Sequence, residues 1–343
     1  MSRALTGDAR IGVIGAGAWG TALATMLAAD GTPVVLWSHG RELADEIATT
    51  RLNSRYLPGA PLARDIIATG DLAHLAHLPV LLVVCPAQHV GEVLSGLPAG
   101  EGPRDLVLCA KGIEAGTGRL MADVARAACP GDALAVLSGP TFAREVAMGL
   151  PTAITLACEG GQEQWKRLSA VLARPAFRPY YTDDIIGAEI GGAVKNVLAI
   201  ACGVVEGLAL GENARAALIA RGYAEMARFG VAKGARLETL SGLSGMGDLV
   251  LTCASRASRN YALGYALGQG QTMEQALAGK ATVAEGSHTA PVLDDLARKA
   301  GVTMPIVEAV CRLLKGEAPA HAVVTDLLAR PLKAELAGYG AAE

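Results

Sequence analysis

The feature that most constrains this fold is a glycine turn set between a short apolar strand and a helix. Residues 11–14, Ile-Gly-Val-Ile, run directly into Gly15-Ala-Gly-Ala-Trp-Gly20, and an alanine-rich helical stretch follows. The G-x-G-x-x-G pattern alone is weak, because glycine makes up 42 of the 343 residues. Here a strand precedes it, a helix follows, and a second strand is predicted at 34–37. That context is typical of a βαβ unit that binds a dinucleotide.

Each glycine of the turn has its own predicted role. Gly15 permits the tight turn, Gly17 lets a pyrophosphate approach the backbone, and Gly20 lets the helix pack against the strand. The N-terminus of the helix then presents unpaired N–H groups and the positive end of its dipole to the phosphates. The alternative is a glycine turn that serves the structure only.

The first half of the chain alternates strands with helices. Apolar, β-branched runs predict strands at 11–14, 34–37, 80–84, 106–109, 134–137, 153–157 and 177–181. Helix-forming composition predicts helices at 21–29, 41–49, 90–94 and 119–128. This alternation predicts an α/β fold whose N-terminal domain is a Rossmann-type parallel sheet covered on both faces by helices.

After about Gly187 the strand pattern gives way to helical stretches broken by glycine. The clearest of them are 193–205, 214–229, 261–267, 289–300 and 305–315. We therefore predict two domains, joined near 183–189. A dinucleotide-binding domain is expected at 1–188, and an all-helical substrate and catalytic domain at 189–343.

Composition excludes several classes of partner. With 30 basic and 33 acidic residues the net charge is −3, which leaves no electrostatic footprint for nucleic acid or for an anionic membrane surface. The first ten residues lack the apolar stretch of a secretory signal. The longest apolar runs, 78–85 and 197–202, fall far short of the ~20 residues that a bilayer needs. These observations predict a cytoplasmic protein that binds neither nucleic acid nor membranes.

The cysteines and histidines predict neither a disulfide framework nor a metal site. Seven cysteines occur singly, none in a Cys-x-x-Cys pair, so buried thiols in a reducing compartment are expected. His74 and His77 lie close together after Asp71, but this spacing matches no zinc signature and no fourth ligand is evident. We therefore expect no bound metal.

Several segments, in order along the chain, match one family. They are GAGAWGTALA from Gly15, AKG from Ala110, LSGPTFA from Leu137, GGAVKNV from Gly191, GMGDLVLTC from Gly245, SRN from Ser258 and VAEG from Val283. On these motifs the chain resembles the bacterial NAD(P)-dependent glycerol-3-phosphate dehydrogenases over most of its length. The resemblance implies reversible hydride transfer between NAD(P)H and dihydroxyacetone phosphate, which gives sn-glycerol 3-phosphate, a precursor of phospholipids.

The resemblance implies a catalytic pair in the second domain. Lys195 matches the family's proton donor and acceptor, and Asp248 matches the residue that orients this lysine and contacts substrate. Hydride transfer to a ketone leaves an alkoxide, so a group that stabilises the charge and delivers a proton is needed. The apolar surroundings of Lys195 agree with that role. The structural alternatives are a lysine reaching from a core helix to solvent, and an Asx turn at Asp248.

The same resemblance assigns the substrate contacts. They are Lys111, Gly139, Thr141, Lys195, Asp248, Ser258, Arg259 and Asn260. Lys111 and Gly139 follow predicted strands, at the edge where ligands bind in open α/β sheets. The run from Ser258 to Asn260 offers a hydroxyl, a guanidinium and an amide before a helix, which suits a phosphate. A capped helix with an ordinary surface arginine is the alternative.

For the cofactor, the resemblance assigns contacts around the turn and beyond it. They are Gly15, Gly17, Ala18, Trp19, Gly20, His39, Arg41, Lys111, Ala143, Arg259, Val283 and Glu285. The chain departs from the family at Ala18, where a polar residue is frequent, and at Trp19, where Tyr or Phe is as frequent as Trp. Both are backbone-contact positions, so little consequence is expected.

The end of the second strand bears on which dinucleotide is used. Residues 34–37 are followed by Ser38-His-Gly-Arg41, with no acidic residue until Glu42, whereas an NAD-specific fold usually carries an Asp or Glu there. Arg41 is close enough in sequence to reach a 2′-phosphate. We therefore expect NADPH to be accepted at least as well as NADH. The alternative is that Arg41 simply begins the next helix and points to solvent.

Other functions stay open at this point. A related two-domain dehydrogenase for a 3-hydroxy acid would need a carboxylate site in place of the Ser258 to Asn260 motif. A non-catalytic dinucleotide sensor need not keep Lys195 and Asp248 together. A methyltransferase should carry an acidic residue at the end of the second strand, which this chain lacks. The resemblance also makes a homodimer the expected assembly.

Overall fold

The computed structural model describes residues 8–100, 102–278 and 284–331, and the chain divides into two compact units. Of the described residues, unit 1 contains those up to Lys111 together with Arg119–Ile185. Unit 2 contains Gly112–Gly118 and those from Ile186 onward. The units are defined by packing, not by what each binds, so the domain limits 1–188 and 189–343 stay predictions.

Unit 1 is built on one eight-stranded sheet in the order β3-β2-β1-β4-β5-β6-β7-β8. The strands are β1 (Ile11–Ile14), β2 (Val34–Trp37), β3 (Ile66–Thr69), β4 (Val80–Val83), β5 (Asp105–Leu108), β6 (Ala133–Ser138), β7 (Thr152–Cys158) and β8 (Phe177–Thr182). All of β1, β2, β4 and β5 is buried, as expected for parallel strands with both faces covered. The Rossmann-type prediction is confirmed.

The helices of unit 1 lie between these strands in sequence. They are α1 (Ala18–Leu27), α2 (Arg41–Thr50), α3 (Val90–Ser95), α4 (Met121–Ala128), α5 (Ala143–Ala147) and α6 (Gly161–Leu172). The hydrophobic core beneath them includes Val13, Leu23 and Leu36, each fully buried. The apolar strands and the apolar faces of the helices therefore bury one another.

One part of the sheet departs from the parallel prediction. β7 runs antiparallel to β6, with Ser138 opposite Thr155, although β7 and β8 are parallel. Only the five-residue helix α5 and a turn connect β6 to β7. Antiparallel neighbours need no helical crossover, so this short connection is compatible with reversal of the chain.

Unit 2 is helical, and from residue 186 onward its described residues contain no strand. Its helices are α7 (Ile185–Gly207), α8 (Glu212–Ala232), α9 (Leu237–Ser241), α10 (Asp248–Cys253), α11 (Arg259–Gly268), α12 (Met273–Leu277), α13 (Glu285–Lys299), α14 (Pro305–Leu314) and α15 (Ala320–Leu328). The helical C-terminal domain is therefore confirmed. α7 is long and apolar enough to cross a bilayer, but 89% of its most apolar window is buried inside the protein.

A buried carboxyl group joins two helices of unit 2. Glu225 of α8 is 3% exposed and accepts hydrogen bonds from the backbone N–H of Ile306 at 2.8 Å and of Val307 at 3.4 Å, in the first turn of α14. Burial raises the pKa of Glu225 to about 8. The two N–H groups and Arg228 act against this shift, and Glu308 adds to it.

This carboxyl should make unit 2 less stable at alkaline pH. Folding raises the pKa of this carboxyl from 4.5 to about 8. Its contribution to the free energy of unfolding is therefore complete below pH 4.5 and is lost as the pH rises through 8. Glu225→Gln removes the ionisation and keeps an oxygen acceptor, so its Tm should fall less than that of the wild type between about pH 5 and about pH 9. The exposed Glu238→Gln is the control and should follow the wild type. Parallel curves for Glu225→Gln and wild type would contradict the prediction.

Candidate active site

The glycine turn of unit 1 is tightly packed on one side and open on the other. Gly15 has a φ of +117°, and a Cβ there would lie 2.9 Å from the backbone nitrogen of Cys85. A Cβ on Gly20 would lie 1.8 Å from the carbonyl oxygen of Gly15, so only glycine lets the helix lie this close. At Gly17, by contrast, a Cβ would meet nothing within 4 Å. The free space beside Gly17 is where a phosphate group would approach the backbone.

Helix α1 begins at this turn without a side-chain cap. Gly17 is the N-cap residue, and no described side chain bonds the N–H groups of the first turn. Ala18 and Trp19 form that turn and are half-buried. The uncapped N–H groups and the positive end of the helix dipole are therefore available to an anion.

The end of β2 lies next to the turn, because the Gly15 N–H donates to the carbonyl of Trp37 at 3.0 Å. The exposed His39 ring stands edge-on to Trp37, with 5.9 Å between ring centroids. Arg41 is the first residue of α2 and is also exposed. A Cβ on Gly70 would lie 3.2 Å from the Cα of Arg41, so glycine lets the chain after β3 pass close to the start of α2. Arg41 thus begins a helix and still has an exposed guanidinium.

Four further predicted residues lie beyond the ends of β5 and β6 in unit 1. Lys111 Nζ donates to the Gly139 carbonyl at 3.1 Å, and the Thr141 hydroxyl lies 3.5 Å from the same oxygen. Ala143 is the first residue of α5 and is half-buried. A Cβ on Gly139 would lie 3.0 Å from Cγ1 of Ile154, which is why glycine follows β6 here. The structure therefore brings Lys111, Gly139 and Thr141 together.

In unit 2, Lys195 and Asp248 form a buried ion pair. Lys195 Nζ lies 2.9 Å from Asp248 Oδ1, and the two side chains are 8% and 1% exposed. Lys195 Nζ also donates to Thr252 Oγ1 at 2.8 Å, and the Thr252 hydroxyl lies 3.3 Å from Asp248 Oδ1. A Cβ on Gly191, one turn before Lys195, would lie 2.5 Å from the Ser244 carbonyl, so glycine lets α7 approach this segment closely. Lys195 is a core lysine that does not extend to solvent.

A buried thiol, that of Cys253, lies near the pair. All seven cysteines are buried and none forms a disulfide, as predicted. The hydrogen bond with Cys202, together with burial, raises the pKa of the Cys253 thiol, which lies one residue after Thr252. Cys253 therefore stays protonated and adds no charge beside the Lys195–Asp248 pair.

Asn260 lies in a buried amide pair in the same unit. Its Nδ2 donates to Asn196 Oδ1 at 2.9 Å, and its Oδ1 accepts from the Gly286 N–H at 2.9 Å. Asn196 directly follows Lys195 on α7, so the pair links α7 to the starts of α11 and α13. Glu285, half-buried, is the first residue of α13. Val283 falls outside the described residues.

The other two residues of the predicted phosphate motif differ in exposure. Ser258 is buried and caps α11, because its hydroxyl accepts from the Tyr261 N–H at 3.3 Å. Arg259 is exposed, and no described residue pairs with its guanidinium. Arg256, in contrast, bonds Glu206 at 2.6 and 2.9 Å and lies 3.8 Å above the Tyr265 ring. Ser258 therefore serves as a helix cap, which was the structural alternative for this motif. Arg259, in contrast, is available to an anion.

Two residues of this site were not singled out from the sequence. Thr252 lies one helical turn after Asp248, and that i, i+4 spacing was the signal that could have found it. Asn196 lies within the motif that contains Lys195, and its bond to Asn260 joins residues far apart in sequence. In the described part of the chain, no three His, Cys, Asp or Glu side chains are grouped to hold a metal ion.

Comparison with known proteins decides the family. The model of the N-terminus of NAD-dependent glycerol-3-phosphate dehydrogenase matches residues 10–164, and the model of its C-terminus matches residues 184–325. The chain belongs to the NAD-dependent glycerol-3-phosphate dehydrogenase family. The two matches together span most of the chain and both of its units.

Individual glycerol-3-phosphate dehydrogenases support the assignment. Those of Novosphingobium aromaticivorans and Erythrobacter litoralis, both named as NAD(P)+ enzymes, are 66% identical over 325 residues and 65% identical over 327 residues. Each match covers 95% of this chain and 98% of the relative. The crystal structure of the Coxiella burnetii glycerol-3-phosphate dehydrogenase matches with a TM-score of 0.88 at 40% identity, covering 93% of this chain and 98% of that one.

The residues of unit 1 fit the dinucleotide that this family uses. The free space beside Gly17 and the uncapped N-terminus of α1 suit a pyrophosphate. The exposed His39 and Arg41 at the end of β2 lie where a Rossmann fold holds the ribose. The dinucleotide is NAD or NADP.

Proposed function

We propose that this chain is an NAD(P)-dependent glycerol-3-phosphate dehydrogenase, which interconverts dihydroxyacetone phosphate and sn-glycerol 3-phosphate. The observation that carries the proposal is the buried Lys195–Asp248–Thr252 cluster in a chain of this family. A ketone reductase needs a fixed proton donor in a site that excludes water, and this cluster supplies one. The product is the backbone of phospholipids, so we place the enzyme in their synthesis.

Lys195 is the proposed general acid. When bound, the reduced nicotinamide would supply a hydride for C2 of the substrate. Lys195 Nζ then gives one proton to the oxygen on C2, and the lysine recovers a proton from solvent before the next cycle. In the reverse direction Lys195 accepts the proton of the hydroxyl group.

Asp248 and Thr252 are the proposed positioning groups for the ammonium. The carboxylate offsets its charge, so the buried pair carries no net charge. Two hydrogen bonds, of 2.9 and 2.8 Å, fix the position of Nζ. A donor held in this way needs little reorganisation when charge develops on the substrate oxygen.

The phosphate of the substrate is assigned to the start of α11. Arg259 supplies an exposed guanidinium, and Ser258 and Asn260 flank it in sequence at a helix N-terminus. Lys111, Gly139 and Thr141 in unit 1 are assigned to substrate as well, and Lys111, Ala143, Arg259, Val283 and Glu285 to the cofactor. The resemblance of the motifs supports these roles. We accordingly assign dinucleotide binding to 1–188 and substrate binding with catalysis to 189–343.

Wild-type enzyme should use NADPH at least as well as NADH, because no acidic residue repels a 2′-phosphate at the end of β2. Arg41→Ala should lower kcat/KM for NADPH by about tenfold and change NADH little. The matched control is Arg64→Ala. Arg64 is also exposed, but it lies just before the start of β3, at the edge of the sheet opposite to the one where β2 ends. Both cofactors should be compared at one ionic strength, because salt weakens phosphate contacts. A tenfold preference of the wild type for NADH would contradict this assignment.

We also propose a cytoplasmic homodimer that binds neither nucleic acid nor membranes. The net charge of −3 and the burial of α7 support the absence of a nucleic-acid or membrane partner. The dimer follows from the resemblance alone. Light scattering coupled to size-exclusion chromatography would measure the assembly directly.

The activity is tested by oxidation of reduced nicotinamide, followed by its absorbance. Addition of dihydroxyacetone phosphate should start the reaction, and sn-glycerol 3-phosphate should be the product. Unphosphorylated dihydroxyacetone and 2- or 3-oxo acids serve as comparison substrates, because they lack the phosphate. An enzyme that prefers an oxo acid would overturn the proposal in favour of a hydroxy-acid dehydrogenase.

A further inference from the structure

We infer that Asn53 is a positioning residue that holds the glycine turn in the conformation that binds the dinucleotide. The inference rests on the proposed cofactor site, because it concerns how that site keeps its shape. Asn53 lies after α2 and is fully buried. None of the motifs that identify the family contains it.

Three hydrogen bonds define the place of the Asn53 side chain. Its Nδ2 donates to the Ala16 carbonyl at 2.9 Å and to Thr21 Oγ1 at 2.8 Å, and its Oδ1 accepts from the Tyr56 N–H at 3.0 Å. The Tyr56 N–H can only donate and the Ala16 carbonyl can only accept, so the orientation of the amide is determined. The side chain therefore bridges the turn after β1 and the segment after α2.

The bond to Ala16 acts on the peptide group between Ala16 and Gly17. This group is planar and trans, so its C=O and N–H point in opposite directions. When Asn53 fixes the carbonyl of Ala16, it also fixes the direction of the Gly17 N–H. Gly17 is the N-cap of α1 and faces the free space assigned to the pyrophosphate.

Thr21 completes the arrangement from within the helix. It is fully buried, its hydroxyl donates to the Ala16 carbonyl at 3.3 Å, and its backbone N–H donates to the Gly17 carbonyl at 2.9 Å. Ala16, Thr21 and Asn53 thus form a closed set of hydrogen bonds. These bonds come from the protein itself and hold the turn in this shape, so less ordering remains to be done on binding.

Asn53→Asp is the most direct test, because the carboxylate keeps the acceptor for Tyr56 and loses both N–H donors. KM and Kd for NADPH and for NADH should rise by about tenfold or more, and kcat at saturating cofactor should change less than about threefold. Thr21→Val is a second, milder variant for the case in which Asn53→Asp does not fold, and it should shift Kd in the same direction by about threefold. Unchanged dinucleotide Kd in the folded variants would overturn the inference.

A matched control separates positioning from general loss of stability. Gln164 is a buried amide of the same unit that also accepts from a backbone N–H, that of Gly160 at 2.8 Å, and donates through its amide nitrogen, to Asp105 Oδ1 at 2.9 Å. Gln164→Glu should lower Tm and leave dinucleotide Kd unchanged. An equal rise of Kd in Gln164→Glu and Asn53→Asp would show a general effect on unit 1 and overturn the inference.

Gly17→Val distinguishes failure of the inference from failure of the cofactor site. The valine side chain would enter the free space beside the turn without meeting protein atoms within 4 Å at its Cβ, so the fold should persist while dinucleotide binding is lost. Weak binding in both Gly17→Val and Asn53→Asp supports the inference. Weak binding in Gly17→Val alone overturns the role of Asn53 and leaves the site intact. Normal binding in Gly17→Val rejects the proposed site, and the inference with it.

Discussion

Replacing Lys195 by alanine should lower kcat by about 100-fold or more and leave the Kd of the dinucleotide nearly unchanged. The substitution removes the ammonium that we propose as the proton donor to the oxygen on C2. The groups assigned to the pyrophosphate lie in the glycine turn and are not altered. Turnover at saturating substrate and fluorescence titration with NADPH measure the two effects separately.

Loss of stability has to be separated from loss of chemistry in this variant. The substitution takes the cation away from Asp248, whose side chain is 1% exposed, and removal of one partner from a buried ion pair typically costs about 3–5 kcal/mol. The folded fraction should therefore be measured by circular dichroism at the assay temperature. Small alkylammonium ions should restore part of the rate, in proportion to their acidity, because they return a proton donor to the space left by the side chain. A folded variant with near-wild-type turnover would exclude Lys195 from the mechanism.

The strands around the glycine turn could be predicted from the sequence because local patterns determine them. The predicted limits of β1 and β2 agree with the structure, since each is a run of four buried apolar residues next to a turn. β3 was missed, although it completes the edge of the sheet beside β2. Its two middle residues, Ile67 and Ala68, are only half-buried, and a long segment without hydrophobic periodicity precedes it. A strand of this kind is defined by its pairing partner, which the local sequence does not reveal.

Helix limits show the same dependence on tertiary contacts. α7 extends from Ile185, well before the predicted 193, through Gly187, Gly191 and Gly192, which in isolation disfavour a helix. Gly191 is tolerated because it allows the close approach to the Ser244 carbonyl. Short helices such as α5 and α9 were also missed, because five residues carry too little periodicity to detect.

Prediction of the site depended on motifs more than on physical patterns. Lys195 and Asp248 are separated by more than fifty residues, and only the family resemblance paired them before the structure placed them 2.9 Å apart. Thr252 could have been found by helical spacing from Asp248. Asn53 could not, because its contact with Ala16 joins a loop to a turn 37 residues away.

Replacing Arg259 by alanine should lower kcat/KM for dihydroxyacetone phosphate by about 10- to 150-fold, which corresponds to the ~1.5–3 kcal/mol of a charge-assisted hydrogen bond. The physical reason is that its exposed guanidinium, at the N-terminus of α11, is assigned to the substrate phosphate. With unphosphorylated dihydroxyacetone, which the wild type should use poorly, the same substitution should have a much smaller effect.

The neighbouring arginine provides the matched control for this prediction. Arg256 lies three residues before Arg259, but its guanidinium is held by Glu206 and the Tyr265 ring. Arg256→Ala therefore removes the same charge from the same segment without removing the proposed phosphate ligand, and its losses on the two substrates should be small and similar. Comparing kcat/KM for both variants on both substrates isolates the phosphate contact from the net charge of the segment. Equal losses on the two substrates in Arg259→Ala would show that this guanidinium does not bind the phosphate, and the anion site would then have to be assigned to other donors of the motif.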